Sequence, residues 1–292
     1  MALLTSIKEH CIKARARRGR ILFFSAGPTA FPGLHHARIG LCCLCLVLIA
    51  SGCALRDHRR NIEKEIRARM DLASSYLANE QPRLALRQLK AVERHRADDP
   101  EFHYLYGLTS ARLKREQEAK EHFQESVQLR PDFAQAWNNL GKVFLSLGEE
   151  DKAEQAFTRT LDIPTYLTPE LPAYRLARLY TKQGRLDKAE DMARQSLEAN
   201  PGFAPAISLL AQLLTESGKV QEAVDVLSQG LEVHPDNIQL MLELAENLLR
   251  LGRQDQARQW FERIAHTADP KSEASQVAAD YLELLPEGGS GR

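Results

Sequence analysis

Residues Ala134 to Asp162 read AQAWNNLGKVFLSLGEEDKAEQAFTRTLD, and their spacing decides the fold. Trp137, Leu140, Gly141, Phe144, Ala153 and Phe157 fall at offsets that put them on the facing sides of two antiparallel helices. Leu147-Gly148 punctuates the gap between the helices. With Ala153 as anchor, alanines recur at Ala85, Ala119, Ala153, Ala189, Ala223 and Ala257, spaced 34, 34, 36, 34 and 34 residues apart. A second set of small residues keeps the same intervals: Ala73, Gly107, Gly141, Ala177, Ala211 and Ala245. Leu89, Phe123, Phe157, Leu227 and Phe261 follow four after most of the anchors, with Ala193 the exception. Pro131, Pro201 and Pro235 close three of the units. Two position sets agreeing on one period mark an internal repeat.

The spacing predicts an all-α array. In each unit a small residue on the first helix (A) and an alanine on the second (B) let the two helices approach. Bulkier residues such as Trp137 fill the space left between them. Neither helix can bury its apolar stripe alone, so units must stack. Six units cover residues 66–271, with turns at Asn79-Glu80-Gln81-Pro82, Gly148, Gly184, Gly218 and Gly252. Helix A of the first unit is expected to start near Asn61. Ser272 is placed as an N-cap, and Val277, Ala278, Tyr281 and Leu284 share one face. A capping helix is therefore expected over 272–285, because the last unit has no successor, and a disordered tail over 286–292. Trp260 is read as resting on that cap, since Phe261 takes the packing position beside it. Between units three and four the stretch DIPTYLTPELPAY carries Pro164, Pro169 and Pro172 and lengthens the interval by two. It reads either as a tolerated loop insertion or as a change of pitch that shapes a groove.

The pattern resembles the tetratricopeptide repeat (TPR), a 34-residue helix–turn–helix. That resemblance implies a right-handed solenoid of six repeats whose A helices line a concave groove. Its repeat-packing residues map here onto Gly107, Ala119, Trp137, Gly141, Ala153, Ala177, Ala189, Ala223 and Ala257. Its groove positions map onto Tyr104 and Leu108, Asn138 and Lys142, then Tyr174 and Arg178. Ser208 and Gln212, then Leu242 and Glu246, continue the row. Aromatic, amide and basic groups in the middle suit an extended peptide. The carboxylate clamp of chaperone-binding members is not reproduced, because Tyr104 and Leu108 replace the polar groups expected ahead of Lys142 and Arg178.

The ends of the chain differ in charge. Across 292 residues, 39 basic and 39 acidic side chains balance. The first 52 residues hold Lys8, Lys13, Arg15, Arg17, Arg18, Arg20 and Arg38 against Glu9 alone, leaving 32 basic and 38 acidic residues after them. An acidic body argues against a nucleic-acid partner. Cys11, Cys42, Cys43, Cys45 and Cys53 are all N-terminal, so the repeats have no disulfide framework and no zinc-binding CxxC pair. Between Arg38 and Arg56 runs IGLCCLCLVLIASGCAL, too short for a spanning helix and built like a secretory signal. Ile49-Ala50-Ser51-Gly52-Cys53 resembles the bacterial lipobox, with Ala50 in place of the usual leucine. The resemblance implies cleavage after residue 52, acylation of Cys53 and, with Ala54 next, an outer-membrane destination. Residues 1–52 are then a signal peptide with an overlong N-terminal extension, and 53–65 a lipidated tether.

Catalytic constellations are not found. The sequence has no HExxH, P-loop or GxSxG motif. His58, His95, His103, His122, His234 and His266 are scattered, and the carboxylates read as solvated faces. No enzyme activity, cofactor, metal site or small-molecule substrate is expected. Over residues 53–285 the lipobox and six repeats resemble the pilotin-type lipoproteins of type IV pilus biogenesis. The joint with Tyr166 and Thr168-Pro169-Glu170 strengthens that resemblance. It implies a periplasm-facing scaffold whose partner is a secretin or another envelope component. The alternative is an accessory lipoprotein of a tight-adherence pilus, cell-wall or exopolysaccharide machine.

Overall fold

The computed structural model describes residues 59–285. The signal segment, Cys53 and the tail after residue 285 lie outside the described residues. The chain divides into two compact units, Met1–Ile62 and Glu63–Arg292, and the architecture below is that of the second.

Every described element is helical. The chain is already helical at residue 59, and this first helix (α1) runs to residue 78. There follow α2 (Pro82–Val92), α3 (Pro100–Arg112), α4 (Glu116–Leu129), α5 (Ala134–Ser146) and α6 (Glu150–Leu161). Next come α7 (Glu170–Lys182), α8 (Leu186–Ala199), α9 (Ala204–Glu216) and α10 (Val220–Val233). The chain closes with α11 (Ile238–Arg250), α12 (Gln254–Thr267) and α13 (Glu273–Leu284). Each helix packs on the next, giving six consecutive A–B pairs and a thirteenth helix. This is the solenoid-like, all-α array that the repeat spacing predicts.

The turns share one backbone solution. Each A helix ends at a residue in the left-handed region: Glu80, Lys114, Gly148, Gly184, Gly218 and Gly252, with φ between 57° and 80°. Only glycine adopts this conformation without strain, which explains its place in the last four units. Ser272 caps α13 by accepting from the Ser275 amide, and Asp99 caps α3 from the Glu101 and Phe102 amides.

The core is made by the small residues. Ala119, Ala153, Ala177, Ala189, Ala223 and Ala257 have no exposed surface. A Cβ built on Gly107 would stand 2.7 Å from the Phe123 ring, and one on Gly141 2.6 Å from Phe157. Where helix A carries alanine instead, the residue across the pair is Leu89, Ala193 or Leu227 in three units of four, all buried. The sixth unit combines Ala245 with Phe261, whose ring stacks on Tyr281 of the cap at 4.6 Å. Trp137 is half-buried and donates its indole N–H to the Pro131 carbonyl at 2.9 Å. Trp260 is half-buried with the Arg263 guanidinium 5.3 Å from its ring; Phe261 is the residue that stacks on the cap.

Ion pairs stitch neighbouring units: Lys120 to Glu149, Lys182 to Glu150, Arg185 to Glu154, Lys219 to Glu190 and Arg194 to Glu222. Successive A helices touch at α3–α5, α7–α9 and α9–α11, and the Asn138–Arg175 hydrogen bond joins α5 to α7. The two extra residues of the joint lie between α6 and α7. There Ile163 is buried while Leu167 is 89% exposed.

Candidate interaction surface

The expected groove residues of units two to four lie on three successive A helices, α3, α5 and α7. Tyr104 and Leu108 on α3 are half-buried, and Lys142 on α5 and Arg178 on α7 are exposed. Tyr104 packs its ring 4.8 Å from Phe133, and Tyr174 meets Phe203 edge-on at 5.4 Å. Arg178 lies 5.8 Å from the Tyr174 ring, a cation–π contact. Asn138 differs from the others, being only 6% exposed. Its side-chain carbonyl accepts from the Arg175 guanidinium at 3.1 Å, bridging units three and four. At that point Asn138 of α5 therefore holds Arg175 of α7.

Three cations, Arg112, Lys142 and Arg175, gather around this bridge, with Arg178 beside Tyr174 one turn further along α7. Arg112 ends α3, Lys142 lies on α5, and Arg175 and Arg178 lie on α7. Burial pushes the Lys142 pKa down, and the Arg175 and Arg112 charges push it further. Burial also holds down the Arg175 guanidinium, with Tyr166 and Tyr174 acting in the opposite sense. Burial raises the Tyr104 phenol, and Tyr166 raises it further, against the Asn139 amide. The joint thus brings Tyr166 within electrostatic reach of both α3 and α7. Lys142 donates to the Asn139 side chain at 3.3 Å.

Further along, the sign changes. Gln212, Thr215, Glu216, Glu243, Glu246 and Arg250 line a cleft of about 270 Å³ between α9 and α11. Burial raises the Glu246 pKa, with Glu243 adding to it and Arg250 opposing. Ser208 and Gln239 donate to one oxygen of Glu243, while the other oxygen is buried without a partner. Among the described residues, no group of three or more histidine, cysteine or carboxylate side chains is placed to hold a metal ion.

Repeat spacing points to the groove positions and gives no sign of Arg112, Arg175 or Asn139. Arg175 sits beside a groove position, not on one, and the Asn138 contact ties it to α5. The adjacent asparagines Asn138-Asn139 on an otherwise apolar helix were the available signal.

Paired helices stacked in one direction, with an inner row of A helices, define a helical-repeat scaffold of the kind that binds partners along an extended surface. The chain belongs to the tetratricopeptide-repeat family: one tetratricopeptide-repeat profile matches residues 70–132, 117–166 and 174–228, and a second matches 214–281. No curated protein sequence matches the chain. Among solved structures it is similar to PilW, a widely conserved type IV pilus biogenesis factor, at 22% identity and a TM-score of 0.60, over 73% of this chain and 98% of that one. It is also similar to PilF of Pseudomonas aeruginosa, at 16% identity and a TM-score of 0.62, over 75% and 98% of the two chains. YrrB, a TPR protein with an unusual peptide-binding site, aligns at 15% identity and a TM-score of 0.53, over 65% and 96%. At these identities the likeness is one of fold.

Proposed function

We propose that this protein is a lipid-anchored scaffold of the bacterial outer membrane that assists assembly of a type IV pilus secretin. The observation that carries the reading is the repeat array itself, similar in fold to PilW over 98% of that chain. The lipobox-like Ile49-Ala50-Ser51-Gly52-Cys53 supplies the location. Acyl chains on Cys53 would confine the array to the membrane surface, since several chains anchor stably where one does not. Confinement raises the effective concentration of the groove for a partner segment. The protein's work in this reading is localisation and capture, with no bond made or broken.

The test has two parts. Cys53→Ala should move the protein out of the membrane fraction, and continued retention after signal cleavage would overturn the anchor. Deletion of the protein should deplete secretin multimers in the outer membrane. Unchanged multimers, with a polymer synthase recovered from solubilised membranes in place of a secretin, would overturn the pilus role.

A further inference from the structure

The inner face of units two to four carries a charge imbalance that repeat packing does not need. Arg112, Lys142, Arg175 and Arg178 have no carboxylate partner among the described residues, whereas Lys120, Lys182, Arg185 and Lys219 are each tied to a glutamate of a neighbouring unit. Clustering cations costs free energy through mutual repulsion, and the lowered Lys142 pKa reports that repulsion together with burial. Arg175 is not a loose surface side chain: Asn138 holds it at 3.1 Å, and its guanidinium lies 6.0 Å from the Phe157 ring. Beside the cations stand Tyr104, Tyr166 and Tyr174. Leu167, the most exposed large apolar side chain among the described residues, is next to Tyr166. Towards units five and six the surface turns acidic, at Glu216, Glu243 and Glu246. A uniformly acidic ligand is therefore attracted to units two to four and repelled beyond them.

We propose that this cluster is the recognition site for an extended acidic segment of a protein partner, carboxylates facing Lys142, Arg175 and Arg178 and an apolar side chain lying against Tyr166 and Leu167. The inference rests on the groove reading above and narrows it by naming the chemistry of the occupant. The two-residue insertion then has a purpose in recognition: it brings Tyr166, with Leu167 next to it, beside Arg175 of α7 and Tyr104 of α3. A single-stranded nucleic acid is the competing polyanion. It is disfavoured by the acidic stretch that follows along the same face, because a uniformly charged backbone would have to cross it.

The experiment is a fluorescence-anisotropy titration of the full chain in mild detergent. Three fluorescein-labelled peptides alternate valine with glutamate, with glutamine or with lysine. The glutamate peptide should bind most tightly, and added salt should weaken it. Lys142→Glu with Arg178→Glu should weaken it about tenfold or more. The milder Lys142→Gln should act in the same direction. Tyr166→Ala should weaken it a few-fold, and Lys90→Glu, on exposed α2 surface, should leave it unchanged. Far-UV circular dichroism and a melting curve on each variant separate lost binding from lost fold. Equal binding of the glutamate and glutamine peptides, or indifference to the charge reversals, overturns this proposal while leaving a peptide groove intact. Displacement of the glutamate peptide by a lower concentration of single-stranded oligonucleotide overturns it in favour of nucleic acid. Binding of no peptide overturns both this proposal and the groove reading, and neither result depends on the membrane or secretin tests.

Discussion

Gly141 has no side chain because Phe157 occupies the place where one would go. The 2.6 Å approach of a built Cβ to the Phe157 ring cannot be absorbed by a flexible end, since the ring has no exposed surface. Gly141→Ala should therefore destabilise the protein by about 1–3 kcal/mol, the usual cost of overpacking. Combining it with Phe157→Leu should recover part of the loss, because Ala73 with Leu89 and Ala211 with Leu227 show that the alanine–leucine pairing fits the same site. Urea midpoints of the single and double variants check this; additive losses would count against it. Glycine at this position is thus a steric requirement, whereas glycine at Gly148, with φ 74°, is a backbone requirement. The two look alike in the sequence and arise from different physics.

At the scale of the element, the second unit carries a hydrogen-bonded histidine pair between its two helices. His103 on α3 and His122 on α4 place their Nδ1 atoms 3.0 Å apart. The Nε2 of His103 faces the Ala97 carbonyl at 2.8 Å and must donate to it. Neutral His103 therefore accepts at Nδ1, and His122 donates there. Burial, then the His103 ring, lowers the His122 pKa to about 4, with Glu118 and Glu121 opposing. Its ring also stacks on Tyr106 at 3.9 Å. A histidine with a depressed folded pKa binds fewer protons folded than unfolded between its two values. Its effect on stability is therefore a loss as pH falls from about 6.5 towards about 4. His122→Phe should flatten unfolding free energy over that window, and an unchanged slope would show that the pair does not titrate as described.

For the whole molecule, ion pairs between units, together with the Lys152–Glu149 pair within unit three, set a second pH dependence. Glu149, Glu150, Glu154 and Glu190 all have lowered pKa values, each caused first by a hydrogen bond from Lys152, Lys182, Arg185 or Lys219 respectively. A carboxylate with a depressed folded pKa stabilises the fold above its unfolded value, and that stabilisation is lost as pH falls through the folded one. The array should thus loosen between units once pH drops below the ordinary carboxylate range. The losses should be small for pairs this exposed and smaller still at high salt. Melting curves of His122→Phe across acid pH, at low and high salt, isolate this component. A salt-independent profile would assign the acid loss elsewhere. Units held by neighbour contacts also predict that loosening spreads from one unit to the next.

Sequence alone determined the period, the six units, the buried alanines and the four glycine turns. Each of these follows from local geometry: a 34-residue repeat of helical offsets, a steric limit where two helices meet, and a left-handed residue at each turn. Ser272 as a cap and the helix after it were legible for the same reason. The groove positions are a reading of repeat phase, which gives every A helix one equivalent face. The charge around them is not carried by that phase. Whether Arg175 is tied to α5 depends on Asn138, 37 residues earlier, and whether Lys142 is paired depends on which carboxylates come near it in space. The reach of Tyr166 to α3 and α7 depends on how two extra residues fold between helices. Such relations join residues of different units, and stacking, not repeat spacing, decides them.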